Sequence, residues 1–208
     1  MHDDFATEPV PGLPEALPKG EVVLWQGRPD AMRLARDSLG LTSVAAYFAL
    51  LAAWRVMASL ADYPLREALG HAVPLTAAGV LACAIIWLFS WVQARATLYT
   101  ITTSRVAMRV GAALTLTLNL PFKRIEGADL ALNRDGTGTI AMQTLGEARL
   151  SYLVLWPHVR PWRMKHTQPA FRAIPDAARV AGILADAAET KINEPVVAAP
   201  EAPAIAAE

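Results

Sequence analysis

The chain of 208 residues carries 19 basic and 19 acidic side chains, a net charge of zero, and 54% of its residues are hydrophobic. A balanced charge excludes the broad positive field with which a nucleic-acid binder gathers phosphates, so no nucleic-acid partner is expected. The single cysteine, Cys83, excludes an intramolecular disulfide framework, and His2, His71, His158 and His166 show no paired metal spacing, so no cofactor or metal is expected either.

Residues 1–20 hold Pro9, Pro11, Pro14 and Pro18, which forbid helix and ladder and predict an extended arm. The arm is acidic and proline-rich rather than basic and then apolar, so it does not read as a cleavable signal peptide. Residues 21–37 predict a short strand over Val22 to Trp25 and a turn at Gly27-Arg28-Pro29, leading into a basic approach helix that starts at Ala31.

Two apolar runs follow, 38–61 broken only by Arg55 and 72–94 without a charge. About 20 apolar residues rising 1.5 Å each cross a hydrocarbon core, so residues 38–94 predict a transmembrane helical hairpin with its link at 62–71. Trp87, Phe89 and Trp91 read as an interfacial belt. Lys19, Arg28, Arg33 and Arg36 precede the first run and Arg95, Arg105, Arg109, Lys123 and Arg124 follow the second, whereas the link carries only Arg66. By the positive-inside rule both termini are cytoplasmic. Arg55 lies about 9 Å from the end of its run, close enough to snorkel to the interface, with a partner contact as the sharper reading. Ala45, Ala49 and Ala53 stand four apart, as do Gly79 and Cys83. Small residues at that spacing let helices approach closely, either the two spans with each other or a span with another membrane protein or a second copy.

After Arg95 the period changes from helical to two. Val106, Met108 and Val110 alternate with Arg105, Ala107 and Arg109, and Leu114, Leu116, Leu118 and Leu120 with Thr115, Thr117 and Asn119. Further strands are expected at 97–102, 127–133, 139–144 and 150–155, with a tight hairpin turn at Asp135-Gly136. Residues 149–156 are the only further apolar stretch and are far too short to cross a bilayer. From Pro175, the apolar positions Ala177, Val180, Ala181, Leu184, Ala187 and Ala188 fall on one helical face, which is expected to plug the open end of the strands. Residues 193–208 read as a disordered tail. The fold class expected is a membrane protein of the α+β type: a two-helix hairpin plus an antiparallel β-barrel or sandwich over 95–192, capped by a C-terminal helix.

No active site is legible. Asp129, Asp135 and Glu147 fall at strand or turn positions without an identifiable histidine or serine partner, and Gly136-Thr137-Gly138 lacks the strand-to-helix context of a phosphate cradle. Pigment ligation by His71 is the one ligand role its place in the chain suggests. Trp162, Arg160, Arg163 and Lys165 lie in a run of cations and indoles that reads as a solvated loop, a lipid contact or a protein contact.

Six or seven short strands followed by one amphipathic helix is the order of a pleckstrin-homology (PH) barrel. The segments Leu98 to Val106, Gly111 and Leu120 to Glu126 resemble the signature of bacterial membrane-tethered PH-like domains, in which a Leu-Trp-Gln-Gly-Arg-Pro stretch such as Leu24 to Pro29 precedes a two-helix hairpin. Within that group, Glu8 to Glu15, Leu24 to Asp30 and Phe171 to Ala177 resemble the photosynthetic complex assembly proteins of purple bacteria. The resemblance implies a non-catalytic assembly factor of the bacterial inner (intracytoplasmic) membrane. Its implied partners are reaction-centre and core light-harvesting antenna polypeptides. Trp25, Gln26, Gly27 and Pro29 are then candidate contacts beside Arg55, Ala45, Ala49 and Gly79. The alternative is a lipid-binding PH-like membrane protein unrelated to photosynthesis.

Overall fold

The computed structural model describes residues 10–112, 115–146 and 150–193. The expectations for residues 1–9, Leu114, Glu147, Arg149 and the tail after Asn193 fall outside them. The chain opens with β1 (Val23–Gly27) and α1 (Ala31–Asp37). Asp30 caps α1, its carboxylate accepting from the Arg33 amide at 2.7 Å. Gly40, at φ 70°, then makes the sharp reversal into α2 (Leu41–Ser59), a conformation that costs a glycine nothing.

α2 is about 28 Å long and α3 (Leu65–Ala96) about 48 Å at 1.5 Å per residue, and both are long and apolar enough to cross a membrane. The boundaries differ from the apolar runs. Residues 38–40 belong to the reversal, and α3 starts seven residues before Ala72, so the link shrinks to residues 60–64. Arg66 and Glu67 are good helix formers, and a count of apolar residues cannot see a polar helical turn. Gly79 faces α2 so closely that a Cβ there would lie 2.7 Å from the Phe48 Cβ.

Among the described residues seven strands make two antiparallel sheets. The first has the order β1, β2 (Leu98–Thr102), β3 (Arg105–Val110), β4 (Leu116–Pro121), and the second β5 (Ile125–Leu132), β6 (Gly138–Thr144), β7 (Ala170–Ile174). Gly27 pairs with Tyr99 and Gln26 with Thr100. The hairpin therefore leaves the sheet from the end of β1 and re-enters at the start of β2. No ladder joins β4 to β5 among the described residues, so the sheets form a sandwich, not a closed barrel.

Tyr99, Ile101, Val106 and Met108 from one sheet meet Ile140, Met142, Phe171 and Ile174 from the other. The amphipathic α5 (Ala177–Asn193) lays Ala177, Val180, Leu184 and Ala187 on this core, as its sequence pattern predicts. Two elements depart from expectation. The stretch expected as a strand at 150–155 contains a one-turn helix, α4 (Tyr152–Leu155), which buries Leu155 and exposes Leu153. β7 has no strand signal, because its residues Ala-Phe-Arg-Ala-Ile neither alternate in polarity nor favour a strand by β-branching.

Candidate functional site

Where the helical hairpin meets the sheets, apolar packing and buried polar groups converge. α1 packs Leu34 against Ala94 of α3 and Ala173 of β7. The Ser90 hydroxyl donates to the Ala31 carbonyl at 2.6 Å, and the Asp30 amide to the Ala173 carbonyl at 2.7 Å. Arg172, only 5% exposed, reaches from β7 to the end of α1. Its guanidinium donates to the Asp37 carbonyl at 3.0 Å and to the Ser38 hydroxyl at 2.7 and 3.1 Å. A cation there also suits the negative end of the α1 dipole. On the outer side, Arg33 bonds Asp135 of the β5–β6 turn at 2.5 and 2.6 Å, and the Asn133 amide donates to Asp37. The Thr137 hydroxyl, then Arg33, hold the Asp135 carboxyl at about 2.

Behind Arg172 lies a buried polar chain. The Arg172 amide donates to the Tyr99 hydroxyl at 3.1 Å, so the Tyr99 proton goes to His158 Nδ1 at 2.7 Å. His158 Nε2 then carries the ring proton and donates to the Thr97 hydroxyl at 2.9 Å. Burial, reinforced by the Arg172 charge, pushes the His158 pKa down to about 3, and burial raises that of Tyr99. The imidazole is neutral and both its nitrogens are hydrogen-bonded, so this polar chain ties the end of α3 to β7. Among the described residues no three His, Cys, Asp or Glu side chains gather as metal ligands.

Several expected contact residues turn inward. Trp25 packs tilted against Phe171 with centroids 5.9 Å apart, and Gly27 leaves room for that indole, since a Cβ there would lie 2.3 Å from its ring. The Gln26 amide donates to the Pro11 carbonyl at 2.7 Å and the Thr100 hydroxyl at 2.9 Å, which pins the arm to the sheet. Pro29 is buried. On the hairpin, Gly79 is buried against Phe48 while Arg55, Ala45 and Ala49 are exposed. Ala45, Ala49 and Gly79 share a shallow apolar groove of about 300 Å³ with Cys83. His71 Nδ1 lies 3.1 Å from the Ser59 hydroxyl and its ring meets Tyr63 edge-on.

The loop after α4 is also split. Arg160 bonds Asp129 and Gln168, and it holds the Asp129 carboxyl below its ordinary range. Trp162, Arg163 and Lys165 are exposed, with Trp162 at φ 63°. Trp156 instead stacks on Phe89 of α3, centroids 6.0 Å apart. Arg172 and the Tyr99–His158 pair carry no periodic signal; the one clue to Arg172 is a cation isolated in the apolar run Ala170 to Ile174.

Among the described residues the geometry defines two antiparallel sheets, an apolar helical hairpin inserted between β1 and β2, and a buried polar junction that ties them together. Residues 38–188 match the model of the bacterial PH domain family, and the chain belongs to that family. It is similar to a protein of Rhodobacter capsulatus described as a 23.7 kDa protein in the puhA 5′ region, at 48% identity over 205 residues, covering 96% of this chain and 94% of that protein. No solved structure matches the chain.

Proposed function

We propose that this protein is a non-catalytic, membrane-anchored assembly factor for the photosynthetic reaction centre and its core light-harvesting complex, of the PuhB type. The observation that carries the reading is the 48% identity, over nearly the full length of both chains, to a Rhodobacter capsulatus protein whose description places it in the puhA 5′ region. The anchor is α2 and α3. In the most apolar window of each helix, 0% and 11% of residues are buried inside the protein, whereas a soluble core helix is mostly covered. Both termini and the sandwich face the cytoplasm, where anchoring raises the effective concentration of the sandwich toward other membrane proteins. Contacts with reaction-centre and antenna polypeptides use the free β4 and β5 edges and the exposed face of the hairpin around Ala45, Ala49 and Arg55.

Affinity purification from mildly solubilised membranes, during synthesis of the complexes, tests this. Reaction-centre or core antenna polypeptides are expected in the eluate. An eluate without them, together with normal photosynthetic complexes in a strain lacking the gene, would sink the proposal. A lipid-binding role outside photosynthesis would then stand in its place, supported by the exposed Trp162, Arg163 and Lys165.

A further inference from the structure

α4 presents large apolar side chains to the outside although its neighbour Leu155 is seated in the core. Leu153 is 85% exposed, Val154 59% and Trp156 40%. In water such a patch on a one-turn helix is unfavourable, at roughly 25 cal/mol for each Å² of apolar surface left wet. Its position explains it. Trp156 stacks on Phe89, and Phe89 stands six residues before Arg95, the first charge at the end of α3. At 1.5 Å per residue the Phe89 ring is about 9 Å on the apolar side of that charge. Side chains of interfacial helices reach about 5–10 Å into the boundary between headgroups and acyl chains. Arg95 itself lies over the Trp91 ring, 4.7 Å from its centroid, as a cation does beside an interfacial indole.

We infer that α4 is a membrane-seated foot: Leu153, Val154 and Trp156 enter the bilayer interface beside Phe89 and take lipid acyl chains as their ligand. Lipid is the occupant because the patch, through Trp156 on Phe89, joins the exposed apolar face of α3 that Ile85 and Val92 share with Phe89 at helical spacing. The foot is held from within by the buried Leu155, by Val159 and by His158, whose ring is bonded to Thr97 at the end of α3. The basic loop that follows is closed by its own short ladder, in which the His158 carbonyl accepts from the Ala170 amide and the Arg160 amide donates to the Gln168 carbonyl. The foot fixes the tilt of the sandwich over the bilayer by adding a contact beside the two chain crossings.

The inference rests on the reading that α2 and α3 span the membrane, and is independent of the photosynthetic role. It is tested with the full chain in vesicles of zwitterionic and anionic phospholipid. In a Cys83→Ala background, Leu153→Cys, Val154→Cys, Leu81→Cys and Thr190→Cys are each labelled with an environment-sensitive fluorophore. Nitroxide lipids with the spin label high or deep on the acyl chain serve as quenchers. The labels at 153 and 154 are expected to be quenched by the shallow nitroxide, the label at 81 by the deep one, and the label at 190 by neither. Residue 190 borders Thr103, at the far end of β2 from α3. Labels at 153 and 154 that behave like the one at 190, while 81 is quenched, overturn the foot alone. An unquenched label at 81 overturns the anchor and the foot with it.

Discussion

Because the Tyr99 hydroxyl already accepts from the Arg172 amide and gives its own proton to His158, a second proton on the imidazole would set two donors against each other in a buried site beside a guanidinium. His158 therefore has a pKa of about 3 in the folded chain against 6.5 when unfolded, so below 6.5 the unfolded state binds more protons. This contribution to stability is complete above pH 6.5 and is lost as pH falls toward about 3, by about 1.4 kcal/mol for each pH unit once the unfolded imidazole is protonated. Thermal unfolding in detergent across that window is expected to show a steeper acid loss for the native chain than for His158→Gln, which has no group to titrate there. Parallel pH profiles would remove the neutral-histidine account. Such a site is hard to read in a sequence. His158 and Tyr99 are 59 positions apart, and His158 follows a Trp-Pro pair that reads as a loop.

Elements were legible in proportion to how one-sided their surroundings are. α5 buries one face and shows it as helical spacing; β3 and β6 carry enough core residues to read as strands. The long apolar runs of α2 and α3 were plain, but their ends were not, since Gly40 acts by conformation and Arg66 by propensity. β7 carries no strand signal because Ala-Phe-Arg-Ala-Ile neither alternates in polarity nor is rich in β-branched residues. The four apolar residues of α4 in a row fit a strand or a helix equally, so the sequence does not distinguish them. Gly79 shows what small-residue spacing encodes: the close approach is internal, α3 to α2 at Phe48, and not a vacant surface at that position. Gly79→Ala and Gly79→Leu are expected to lower the melting temperature in detergent in that order, with Leu costing about 1–3 kcal/mol through overpacking. Gly70→Ala, in the same helix with nothing within 4 Å, is the control and is expected to be neutral or stabilising by about 0.5–1 kcal/mol. Equal effects at 79 and 70 would mean that the helices do not meet at Gly79.

At the scale of the molecule, the hairpin is an insertion between two strands that pair with each other, so the sandwich cannot be cut out at the end of α3. A fragment of residues 96–193 keeps β2 to β7 and α5 but loses β1, the partner of β2 through Val23, Trp25, Gln26 and Gly27. It also loses Trp25, which packs on the core against Phe171, and Glu21, which accepts from Arg105 at 2.9 Å and from the Thr102 hydroxyl at 2.6 Å. The expected result is a fragment without cooperative unfolding and with fast amide exchange in β2. The register offers a repair: Gly27 lies opposite Tyr99 in an antiparallel pair, so a turn of a few residues can join β1 directly to β2 in place of α1, α2 and α3. Residues 19–28 joined in this way to 97–193, with Ala173→Asp at the face that Leu34 and Ala94 no longer cover and Leu153→Glu at an exposed apolar side chain, are expected to regain a single cooperative transition. A well-folded 96–193 fragment would show that β1 is dispensable, and that the sandwich is a separate body rather than one sheet interrupted by its own anchor.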